Sequence, residues 1–77
     1  MIIPLSDRWL KELAEQPETG MGYQVVSIIL KDGKRYDRIL IDSGFVTKIK
    51  GMHEIPFKED DIHQILVTHD KWDFNHE

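Results

Sequence analysis

Between Tyr23 and Ile49 two dense β-branched runs flank Lys31-Asp32-Gly33-Lys34, and a third run follows Asp42-Ser43-Gly44. Asp-Gly between strand-like runs is a strong hairpin signal, and Asp and Ser bond their own backbone at a reversal where Gly accepts positive φ. The pattern predicts a three-stranded meander. Its first strand, about residues 23–31, sets Val26, Ile28 and Leu30 on one face and Val25 and Ile29 on the other, so both faces need cover. The second, about 34–42, puts Tyr36 and Leu40 on one side and Ile39 and Ile41 on the other. The third, about 45–50, turns Phe45 and Ile49 inward and groups Val46, Lys48 and Lys50 on the opposite face. Two registers stay open for the first hairpin. A two-residue Asp32-Gly33 turn pairs Val26 with Ile39 and Leu30 with Arg35, whereas a type I turn with a bulged Gly33 shifts the partner by one and pairs Ile28 with Tyr36.

Ahead of the meander, Leu5, Trp9, Leu10 and Leu13 recur at helical spacing after Ser6 and Asp7, either of which suits an N-cap, and Pro17 ends the helix. Trp9 reads as the plug that seals this helix to the sheet. Residues 17–22, with Gly20 and Gly22, form a linker. After the meander come a loop over 51–54, a short extended Ile55-Pro56-Phe57 whose proline suits an edge, a one-turn helix at 58–61, and a last strand at about 64–69. Ile62 anchors the approach to that strand, in which Ile65 and Val67 alternate with Leu66 and Thr68. The fold class is α+β, mainly β: one domain over 1–77 with a helix at about 6–16, a linker at 17–22, a strongly bent antiparallel sheet of four to five strands at 23–69, and a tail at 70–77. Sequence leaves open whether the sheet closes into a small barrel.

This element order resembles the small five-stranded barrels of the Src-homology-3-like and Sm-like type, over roughly residues 6–69. Ile55-Pro56-Phe57 followed by Asp60-Asp61-Ile62 and Ile65 is similar to the closing segment of PRC-barrel domains. The Sm-like resemblance implies ring oligomers and RNA, and the PRC-barrel one implies a partner-binding module without catalysis.

With 77 residues and no cysteine, the chain has neither a disulfide framework nor a thiolate zinc site, which points to a reducing, cytoplasmic setting. The start Met1-Ile2-Ile3-Pro4 lacks a positive region and a long apolar stretch, so neither a leader nor a membrane partner is expected. Net charge is 10 minus 14, or −4, but it is unevenly spread. Lys31, Lys34, Arg35, Arg38, Lys48 and Lys50 outnumber Asp32, Asp37 and Asp42, while residues 58–77 hold two basic and six acidic side chains. A dipolar molecule follows.

Candidate chemistry is sparse. The serines Ser6, Ser27 and Ser43 sit at a cap, mid-strand and a turn, none in a nucleophile elbow. Glu59, Asp60 and Asp61 are adjacent and suit capping of the one-turn helix better than opposed acid-base work. His69, Asp70, Asp73 and His76 offer metal donors without a helical two-histidine spacing to aim them, and read as a solvated acidic tail. His53 and His63 are solitary exposed residues. No enzyme activity, cofactor, metal or small-molecule substrate is expected. Arg35, Arg38, Lys48 and Lys50, with Tyr36 available for stacking, form a candidate nucleic-acid or partner face. Trp72 and Phe74 either fold back over the barrel end or stay exposed as a protein-contact or dimer surface. The expected function is a non-catalytic interaction module that binds a protein partner or itself through the helix, these aromatics or an open strand edge; the alternative is a nucleic-acid-binding barrel using the basic face of residues 34–50.

Overall fold

The two turn signals make the hairpins that organise the chain. In a computed structural model describing residues 2–16, 23–68 and 72, strand β1 is Ile3–Pro4, helix α1 Asp7–Ala14, β2 Tyr23–Leu30, β3 Arg35–Asp42, β4 Phe45–Ile49 and β5 Ile62–Val67, with a 3₁₀ turn at Glu59–Asp61 before β5. The strands form one antiparallel five-stranded sheet in the order β1-β4-β3-β2-β5. It curls into a half-barrel whose terminal strands, β1 and β5, are not paired with each other.

Gly33, at φ 93, closes the first hairpin as a bulged position, with its N–H donating to the Leu30 carbonyl at 2.9 Å and Leu30 N–H donating to Lys34 at 2.8 Å. Ser43 and Gly44, at φ 53 and 83, make the second as a two-residue turn with both central residues left-handed. Both registers left open by the sequence occur in the first hairpin. Ile28 pairs with Tyr36 near the turn and Val26 with Ile39 farther along, because β3 carries one extra residue opposite Ser27. Arg38, left-handed at φ 56, sits in that bulge and its carbonyl accepts Lys50 N–H at 3.0 Å.

Bulges also correct the face assignments. Tyr36 shares the core face with Ile39 and Ile41, its ring 5.6 Å from Phe57, rather than the face of Leu40. A register shift at Thr47 in β4 keeps Val46 and Ile49 both in the core, so Val46 does not join Lys48 outside, and Phe45 is exposed rather than inward. Bulges add twist as well as a residue, which is how a five-stranded sheet wraps a small core.

The concave face holds that core: Val26, Ile28, Ile39, Val46, Ile62 and Ile65 under Leu5, Trp9 and Leu13 from the helix side. Trp9 is a buried plug, as its spacing predicts, and Arg8 stacks its guanidinium 4.5 Å from the Trp9 ring centroid. The helix is shorter than expected and Ser6 caps it without a side-chain bond. Its far end is held instead by Gln24, whose amide donates to the carbonyls of Leu13 at 3.1 Å and Gln16 at 3.4 Å. The fifth strand is β1 rather than residues 55–57, which are not a strand although Phe57 is buried in the core. Ser6 N–H donates to a Glu59 carboxylate oxygen, tying the start of α1 to the 3₁₀ turn. Lys58 N–H donates to Asp61 at 2.9 Å, the capping role expected of that acidic run.

Candidate functional site

On the convex face, alternation puts Val25, Ser27 and Ile29 of β2 beside Leu40, Asp37 and Arg35 of β3, with Lys48 of β4 paired to Leu40. Val25 and Ser27 are only 1% and 2% exposed there. Their neighbour Leu40 packs with Val25 and Trp72 in a second apolar cluster, so Trp72 folds back over the sheet and covers this face from outside. Phe74, His69, Asp70, Asp73 and His76 lie outside the described residues, as do Pro17, Gly20 and Gly22.

Arg35, Arg38, Lys48 and Lys50 are all exposed. They are not a stacking platform with Tyr36, which the bulge at Arg38 turns to the concave side. Arg35 is engaged locally, its Nε donating to Asp37 Oδ1 at 2.9 Å. Ser27 donates to the same oxygen at 2.6 Å, and these two bonds, helped by the charges of Arg35 and Arg38, hold the Asp37 carboxyl below the ordinary aspartate range. Among the described residues no cluster of three or more His, Cys, Asp or Glu is placed to hold a metal ion. None of the described helices is long and apolar enough to cross a membrane.

No family model, curated protein or solved structure matches the chain. The resemblances to small barrels therefore rest on element order and on the short segment from Ile55 to Ile65.

Those ends differ chemically. Leu5 N–H donates to the Gly44 carbonyl at 3.0 Å, and by antiparallel alternation the Ile3 N–H also faces β4, leaving Ile2 and Pro4 to present their backbone outward. Pro4 has no N–H to offer, and the open side of β1 meets Ile55, Phe57 and Lys58 across an apolar hollow of about 290 Å³. That edge is blunted.

At the other end, Thr68 N–H donates to Val25 at 3.0 Å, which sets Gln64 and Leu66 to bond β2 and turns the N–H and C=O groups of Ile65 and Val67 outward. Those outward groups have no hydrogen-bond partner among the described residues, and β5 contains no proline. Glu12 and Leu13 of α1 and Gln16 just beyond it border this edge, forming with Gln64 to Val67 a groove of about 290 Å³. Alternation predicts a strand at about 64–69, the structure sets it at Ile62–Val67, and its edge position follows from the order of the sheet, which alternation does not encode.

Proposed function

We propose that this protein is a non-catalytic interaction module that captures an extended segment of a protein partner by adding it as a sixth strand alongside β5. The observation that carries the reading is the asymmetry of the two sheet ends: β1 is blunted by Pro4, whereas β5 presents the paired donors and acceptors of Ile65 and Val67 beside a helix-walled groove. Strand addition draws affinity from main-chain hydrogen bonds and specificity from the side chains that alternate into the groove. The basic face supports nucleic-acid binding less well, since it lacks the Tyr36 stacking surface and Arg35 is paired with Asp37.

The test starts with a display library of random ten-residue peptides selected on the immobilised full chain. Val67→Pro removes one outward N–H without touching a bond to β2, copying onto β5 the device at Pro4. Selected peptides are expected to weaken modestly against Val67→Ala, which trims a groove side chain but keeps the N–H, and to lose roughly a further tenfold against Val67→Pro, the scale of one main-chain hydrogen bond. Should Val67→Pro fail to melt cooperatively, peptides N-methylated one position at a time provide the same deletion from the other side. Binding indifferent to both changes would overturn the reading. So would an absence of peptide binders together with a salt-dependent response of residues 34–50 to single-stranded RNA.

A further inference from the structure

The groove beside β5 also specifies what kind of segment fits it, an inference that rests on the reading of β5 as the binding edge. A strand added there points alternate side chains to the two faces of the sheet, about 7 Å apart along one face. On the convex side they meet Gln64 and Leu66. On the concave side they meet Glu12 and Leu13 of α1 and Gln16 just beyond it. Glu12 is exposed, and it is the only ionisable side chain among the described residues that line the groove. The concave side therefore offers the partly exposed Val67 over the buried Leu13 and Ile65, with the Glu12 carboxylate at its rim.

We infer that the partner is an extended basic-aliphatic segment, with a Lys or Arg two positions from a Val, Ile or Leu, both directed at α1. The charge of the whole molecule acts in the same direction, since a chain of net charge −4 draws a cationic segment and resists a second copy of itself, which would bring a second Glu12 carboxylate toward the same groove. A self-paired β5 edge is thus the poorer occupant.

The same peptide library distinguishes this inference from the reading beneath it. Selection on the wild type is expected to enrich Lys or Arg at a spacing of two from an aliphatic residue. Glu12→Gln is expected to weaken those peptides about two- to fivefold, the scale of one exposed ion pair. Glu12→Lys is expected to shift the selected composition toward Asp or Glu at the same position. Peptides that bind in a manner abolished by Val67→Pro yet show no charge preference, and no response to Glu12→Gln or Glu12→Lys, would overturn the basic-aliphatic assignment and leave strand addition standing. If no selected peptide is sensitive to Val67→Pro, both fall. A concentration-dependent dimer lost in Val67→Pro would replace the foreign segment with a second copy and overturn the assignment as well.

Discussion

One oxygen of Asp37 accepts from both Ser27 and Arg35, at the point where β3 bulges over Arg38. Ser27 is otherwise a buried hydroxyl in the middle of a strand, and without Asp37 it would lack its partner. A non-glycine residue in the left-handed region is uncommon and carries a conformational cost. At Arg38 that conformation is part of what realigns Val26 with Ile39, so the Ser27–Asp37 bond lies at the site where the sheet changes register. Because the folded-state pKa of Asp37 is lowered, its contribution is present above the unfolded-state pKa and is lost as pH falls through the folded-state value. The stability change therefore lies on the acid side, with none from this group near neutrality. In carboxyl-carbon NMR, Asp37 is expected to titrate below the ordinary aspartate range in the wild type and to move up in Ser27→Ala, since the Ser27 bond is the largest cause of the shift. An Asp37 titration identical in the two proteins would refute that role for Ser27.

At the scale of elements, α1 has eight residues, shorter than the ~12–15 at which an isolated helix becomes even marginal in water, so its existence depends on docking Trp9 and Leu13. Trp9→Ala is expected to lower unfolding free energy by about 3–5 kcal/mol, read from urea melts, a large share of what a domain this small has. A loss below ~1 kcal/mol would show that α1 is an appendage. The helix was legible because Trp9, Leu10 and Leu13 repeat at its period, and both reversals were legible because Asp-Gly and Ser-Gly meet a conformational demand few residues satisfy. The faces beyond the bulges were not. An inserted residue resets alternation, and neither Arg38 nor Thr47 carries a mark of the role it plays, since sheet coiling is a property of all the strands together. β1 escaped for another reason: two residues contain no period, and their strand conformation comes from pairing with β4. Of the candidate site residues, the four basic ones are exposed as expected, Tyr36 changes sides at the bulge, and Trp72 is committed to Val25 and Leu40.

For the whole molecule, curling divides the sheet's surroundings into three environments: a concave core under α1, a convex face covered by Trp72 at Val25 and Leu40 and exposed at Arg35, Asp37 and Lys48, and two ends. An unprotected edge invites association, and small sheet proteins manage it with proline, charge or cover. Here proline stands at one end and not at the other, an asymmetry that supports the proposal of β5 as the binding edge. Amide hydrogen exchange, resolved residue by residue with and without a selected peptide, tests this most directly. Gln64 and Leu66, already bonded to β2, are expected to exchange slowly in both states, while Ile65 and Val67 change from fast to slow when peptide is bound. Uniform slowing along β5, or new protection at Ile2 and none at Ile65 and Val67, would contradict strand addition at this edge.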